Sequence, residues 1–196
     1  YYTSGSLGFN YVFNDKHSVG ATYEVNINPY SRGGWNSLMD VWKNGSKTES
    51  YTNDMYCRFK SRPTQDITAY YAGQIGKVSI EWNGEIYLRK TGQTQYSEET
   101  GIEGGDSRTI ESDFTADSWM HASKLVLSFP VWKGTLKVGN EFTESCRANL
   151  YTIDEQGTDL PGKTDDQVKE SNLAAFVSYG LRLNKVELNA GLRYEH

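Results

Sequence analysis

No stretch of this 196-residue chain reaches about eighteen apolar residues, so a membrane-spanning helix is excluded. Cysteine is scarce, with only Cys57 and Cys146, and neither sits in a metal-ligand spacing. Two positions so remote either meet in one disulfide or remain unrelated thiols, and the sequence leaves both open. Histidine is as sparse. His17, His121 and His196 fall at strand ends or turns, and no Gly-x-Ser-x-Gly elbow accompanies them. Hydrolytic chemistry therefore finds no support, and neither an enzyme nor a cofactor is expected. Positive charge is short too. Twenty Lys and Arg against 25 Asp and Glu give a net charge of -5. The basic footprint of a nucleic-acid binder is missing, and no nucleic-acid partner is expected.

What the chain does have is a rhythm of period two. Val186, Leu188, Ala190, Leu192 and Tyr194 fall on one face of a strand, and Glu187, Asn189, Gly191, Arg193 and Glu195 on the other. Strands in soluble sheets usually stop at about five or six residues. Strands of about nine to eleven, with short turns at one end and long loops at the other, are the pattern of an outer-membrane β-barrel. A mean hydropathy of -0.67 does not conflict with this, because half of each barrel strand faces a polar interior. Fourteen Tyr and five Trp suit the membrane–water boundary, and they suit sugar- or protein-binding surfaces equally well.

Along the chain, strands are expected over 4–13, 17–28, 66–73, 77–91, 121–131, 135–151, 171–183 and from Val186 onward. Tight turns at Asn14-Asp15-Lys16, Gln74-Ile75-Gly76, Trp132-Lys133-Gly134 and Asn184-Lys185 join them in pairs. Three long connections, about 29–65, 92–120 and 153–170, are expected to be loops. Inside the first, Leu38–Lys43 and Thr48–Phe59 flank Asn44-Gly45, a strong hairpin signal. Strand parity makes this a ribbon extending a loop. The sum is an all-β, antiparallel, up-and-down meander of about eight long strands.

The segment 172–179, Asn-Leu-Ala-Ala-Phe-Val-Ser-Tyr, followed by Asn184-Lys185 and by Asn189-Ala190-Gly191-Leu192-Arg193-Tyr194-Glu195, resembles the barrel of TonB-dependent outer-membrane receptors. The similarity is to the outer-membrane β-barrel family common in Bacteroidetes. Lys124–Pro130, Gly134–Phe142 and the hairpin from Tyr70 to Tyr87 share it. The resemblance implies a barrel of about twenty-two strands closed by a plug domain, with transport driven through TonB. It implies the outer membrane of a Gram-negative bacterium as location and outer-membrane lipid as surroundings. A surface lipoprotein is a further candidate partner. Neither a plug nor a TonB-contacting segment is legible here, Tyr1 opens without Met, and the pattern is at full strength on reaching His196. Residues 1–196 are therefore expected to be an internal part of one larger barrel domain.

Four side-chain groups invite a functional reading. Glu24, Glu81, Glu85, Arg89, Lys137, Glu141, Arg182, Glu187 and Arg193 share the wet parity. They read as a lumen that guides a solute or grips a plug, or as cross-strand charge pairs. Asp154, Glu155, Asp159, Asp165 and Asp166 are rich in oxygen ligands, but their spacing does not match a Ca²⁺ loop, and a solvated outer loop is expected. Tyr30, Trp35, Trp42, Tyr51 and Tyr56 read as an interfacial belt or as a stacking surface for a ligand. Both cysteines fall toward the long-loop side. No residue is assigned to catalysis, metal or ligand. The expected function is that of a wall segment in a nutrient-uptake receptor or transporter. Alternatives are a complete eight-stranded barrel acting as adhesin or envelope anchor, and a soluble β-rich ligand- or carbohydrate-binding module.

Overall fold

The computed structural model describes residues 3–27, 31–155, 162–183 and 185–196. Ten strands account for most of them: β1 (Thr3–Asn14), β2 (His17–Ile27), β3 (Ser31–Lys43), β4 (Ser46–Ser61), β5 (Thr64–Ile75), β6 (Val78–Glu103), β7 (Arg108–Val131), β8 (Gly134–Glu155), β9 (Lys163–Leu183) and β10 (Val186–Glu195). Every pairing is antiparallel. The main order is β1-β2-β5-β6-β7-β8-β9-β10, an up-and-down sheet with β1 and β10 at its two ends. Among the described residues these two strands do not pair, and the sheet is open.

The short turns gather at one end, as parity requires. Gln74 N donates to Lys16 O at 3.0 Å, tying two of them together. At the other end the sheet grows taller than the sequence suggests. The described residues of the spans 92–120 and 153–170, expected as loops, are largely strand. β6 and β7 pair continuously from Ser79↔Ser128 out to Glu99↔Arg108, and β8 and β9 pair out to Thr152↔Lys163. Beyond the band of membrane-spanning length both faces of a strand are polar, so no alternation marks it. The Thr, Tyr, Ser and Gln residues there still pair well.

The ribbon expected around Asn44-Gly45 is present as β3–β4, longer than read and starting at Ser31. Asn44 and Gly45 sit at φ 53° and 79°, the left-handed pair that a two-residue hairpin turn needs. The sequence did not show its seat. β5 pairs with the first half of β6 (Gln65↔Leu88 to Ile75↔Val78), and β4 with the second half (Ser61↔Thr91 to Ser50↔Glu103). Arg62 N still donates to Lys90 O at 3.0 Å, and the break falls at Pro63, which has no N–H to give.

Register carries the two faces across the whole sheet. Direct partners share a face, so Ile80, Leu127, Val138, Val177 and Leu192 form one apolar row across five strands. Below the ribbon, Tyr11, Val19, Tyr71, Trp82 and Leu125 form another, which continues to Asn140, a polar interruption. No described residue covers this face. Leu7 is 78% exposed and Leu192 79%, and the only buried apolar residues are Cys57, Ala116, Cys146 and Ala174, among those described. A single layer with no core of its own leaves its hydrophobic face available to another apolar phase.

The cysteines are both free and buried. Cys57 pairs in register with Gln95, and Cys146 with Trp119, whose other partner is Leu88. Residues 88 and 95 of β6 differ in parity, so the two thiols lie on opposite faces and cannot bond.

Candidate functional site

All nine charged residues read as wet in sequence lie on the face opposite the apolar rows. Glu24 stands in register with Asp66, Arg182 opposes Glu187, and Arg193 opposes Phe176. This polar face is also the hollow one. A depression of about 620 Å³ near the turn end is lined by Lys137, Ser178, Gly180, Arg182, Glu187 and Asn189. Another of about 360 Å³ is lined by Thr68, Asn83, Glu85, Lys124 and Glu141. A third, of about 370 Å³, lies between Lys124, Phe176, Ser178 and Arg193. A sheet that is concave on its polar side and convex on its apolar side has the curvature of a barrel wall.

One network dominates the concave face. Glu141 Oε2 takes Arg193 Nη1 at 3.2 Å and Lys124 Nζ at 3.5 Å. Arg193 Nε donates to Glu195 as well. Lys124 Nζ also stands 5.7 Å from the centre of the Phe176 ring, within cation–π reach. Arg193 on β10 reaches Glu141 on β8 across β9, and Ala174, which pairs with both Glu141 and Glu195, is fully buried beneath that arch. Only a small residue fits there. Two aromatic rings perform a related task. Tyr70 donates to Asn10 Oδ1 at 3.0 Å across Gly20, and Phe176 lies over Gly139.

Of the sequence-read set, the structure brings Glu141 and Arg193 into direct contact and sets Arg182 against Glu187. Lys124 and Glu195 complete the network. Both carry the wet parity of their strands, so alternation alone could have placed them. Their convergence on Glu141 depends on which strands are neighbours.

The other candidates do not assemble. Asp159 and Tyr30 lie outside the described residues. Asp165 pairs with Leu150 and Asp166 with Asn149, so the two carboxylates take opposite faces of β9. Trp35 and Tyr51 share the concave face of the ribbon. Tyr56 takes the other face, 6.5 Å from the Tyr96 ring, so among the described residues no single stacking platform forms. His17 Nδ1 and Tyr71 Oη share a hydrogen bond at 2.8 Å, and His121 packs edge-on to Phe142. Among the described residues no three His, Cys, Asp or Glu side chains gather as a metal site would need.

Above the membrane-length band the ribbon has its own polar interior. Ser97 Oγ donates to Asn53 Oδ1 at 2.7 Å, and Arg108 Nε to Glu99 Oε2 at 2.5 Å, with Ser50, Asn53, Ser97 and Glu99 all buried. Asp40 accepts from Ser50 Oγ at 2.7 Å and from Lys47 Nζ at 3.0 Å. These donors, Ser50 first, hold its carboxyl below the ordinary value. The Tyr51 hydroxyl donates to Glu49, and that bond raises the phenol above its ordinary range.

These features define a class: a single-layer, antiparallel, up-and-down wall of the outer-membrane barrel kind. The RagAB peptide transporter shares the fold. The chain aligns with it over 99% of its own length at 12% identity and a TM-score of 0.56, and spans 27% of that transporter's chain. It also aligns over 98% of its length with the ferric citrate transporter FecA in the unliganded form, at 11% identity and a TM-score of 0.47, covering 27% of that chain. BauA, the ferric preacinetobactin receptor from Acinetobacter baumannii, aligns over 92%, at 14% identity and a TM-score of 0.41, covering 30% of that chain. At such identities the RagAB likeness is one of fold alone, and the weaker two carry no argument. No family model matches the sequence, and no curated protein matches it.

Proposed function

We propose that this chain is a wall segment of an outer-membrane transporter of the TonB-dependent receptor class, which imports a nutrient. The carrying observation is the two-faced single layer: a bare apolar band on the convex side and a charged, hollowed surface on the concave side. In this reading the band faces lipid, the short turns face the periplasm, and the tall ribbons face outward. The concave charges line the solute path and the seat of a plug, and TonB supplies energy to the parent protein. The open edges at β1 and β10 would take up further strands, which fits a chain spanning about a quarter of RagAB. They weigh against a closed eight-stranded barrel. The uncovered apolar face weighs against a soluble binding module.

The test is Val177→Lys in the full-length polypeptide. Val177 sits mid-row between Val138 and Leu192. A lysine facing the bilayer midplane costs about 2–4 kcal/mol. The variant should lose most of its heat-modifiable, membrane-inserted form, while Ser178→Lys on the concave face should keep it. Equal insertion of both would sink the lipid-facing assignment.

A further inference from the structure

Five cations collect where the apolar band of the convex face gives out. On β6 the band runs Val78, Ile80, Trp82, Gly84, Ile86 and Leu88, and the next residue on that face is Lys90. On β4 the same face carries Lys60 and Arg58, in register with Gly92 and Thr94. Arg32 of β3 lies opposite Arg58, and Arg62 adjoins Lys90 through its backbone hydrogen bond. Neighbouring strands are about 4.8 Å apart and same-face residues about 7 Å, so these groups occupy one patch a few residues tall. Lys60, Arg62 and Arg32 are exposed, and Arg58 is half-buried. Carboxylates flank the patch. Asp117 accepts from Lys90 at 2.7 Å, and Asp113, one strand further, accepts from Thr94. Glu111 stands higher, in register with Tyr96, and Asp54 and Glu98 higher still, in register with each other. The first polar position above the band on β8 is instead Glu144, and β9 adds a lone Lys169 in register with Cys146, so the cations cluster only on the β3–β4–β6 side. In a chain of net charge -5 such a cluster needs a reason.

We propose that this collar binds the phosphate headgroups of anionic lipid in the outer leaflet. The inference rests on the lipid-facing reading above. Its position carries it: the cations begin one residue beyond Leu88, on the face that meets acyl chains. There, long Lys and Arg side chains reach the headgroup layer while their stems stay on apolar surface. Lys90 would share its ammonium between Asp117 and a lipid phosphate, and Lys60 and Arg62 would complete the cradle. The apolar rows below seat the acyl chains of the same lipid.

The experiment uses the full-length protein, delipidated in detergent, and native mass spectrometry. The probes are dioleoyl phosphatidic acid and dioleoylglycerol, which differ only in the phosphate. The wild type should retain the phosphatidic acid and release the diacylglycerol. The triple variant Lys60→Gln, Arg62→Gln, Lys90→Gln should bind the phospholipid at least about tenfold more weakly. The Lys60→Arg, Lys90→Arg double variant should bind as the wild type does. Heat-modifiable migration is followed in parallel, so loss of the barrel, which would overturn the functional reading, is seen separately from loss of lipid. Equal retention of both probes, or undiminished binding by the triple variant in a folded barrel, overturns the proposal. So does displacement of the lipid by excess inorganic phosphate, since the site would then be one for the free anion.

Discussion

At the scale of single residues, contact between strands sets what is allowed. A Cβ added to Gly139 would lie 2.4 Å from Phe176 Cζ and 2.6 Å from the carbonyl oxygen of Leu125. The ring can swing aside, but the backbone oxygen is fixed by the β7–β8 ladder. Gly139→Ala should therefore lower stability by about 1–3 kcal/mol, the usual range for overpacking. A urea-unfolding midpoint for the full-length protein in micelles measures it, and an unchanged midpoint would show that the Phe176–Gly139 packing is not tight. Glu141 makes the opposite point. Its ion pairs with Lys124 and Arg193 are one-third to one-half exposed, so screening leaves them worth little. Glu141→Gln should cost under about 1 kcal/mol by the same measurement. A loss several times larger would mean that the network is desolvated and holds the wall together.

At the scale of elements, the β3–β4 ribbon is the part whose stability can be addressed alone. Gly45 at φ 79° is a position where a β-branched residue pays about 1–2 kcal/mol for the left-handed backbone. Gly45→Val should speed amide exchange at the tip, near Lys43 and Ser46, and leave β9 and β10 unchanged; uniform protection would show that the turn does not limit opening. Asp40 gives the ribbon a pH dependence of definite sign. Its carboxyl is depressed in the folded chain by Ser50 and Lys47. Its contribution is thus present above the ordinary value of 3.8 and is lost as pH falls through the lower folded value. An NMR titration of the Asp40 carboxyl should give a midpoint below 3.8, and one at or above it would remove this contribution.

The elements also show what a sequence can disclose. Within the band, Val78 to Leu88 or Leu173 to Leu183 reads unambiguously, because lipid or core on one side and water on the other force a period of two. Past Lys90 that contrast ends. Thr91, Gln93, Gln95 and Ser97 face one way and Gly92, Thr94, Tyr96 and Glu98 the other, polar on both sides. The pattern cannot distinguish such a strand from a solvated loop. The Asn44-Gly45 hairpin was legible because its signal is local. The docking of β4 on β6 was not, since residues some forty apart choose each other through backbone ladders and pairs such as Asn53–Ser97. The state of the cysteines likewise hung on a parity relation running through β6.

At the scale of the whole molecule, the fold has almost no interior. With the apolar face bare and edge strands at both ends, the isolated 196-residue chain should aggregate in buffer and disperse only in detergent or lipid. Sedimentation velocity without detergent tests this. A soluble monomer would contradict the wall-segment reading and favour a self-sufficient module.

The heights of the strands differ greatly across the sheet. β6, β7 and β8 have 26, 24 and 22 residues, whereas β5 has 12 and hands its pairing with β6 over to β4. From Lys90 to Glu103 the central strands rise by about 45 Å. Beyond the band the wall is therefore one hydrogen-bonded sheet and not a fringe of separate loops. In the proposed reading, whatever arrives at the cell surface meets a stiff palisade there, whose outline is settled before any encounter.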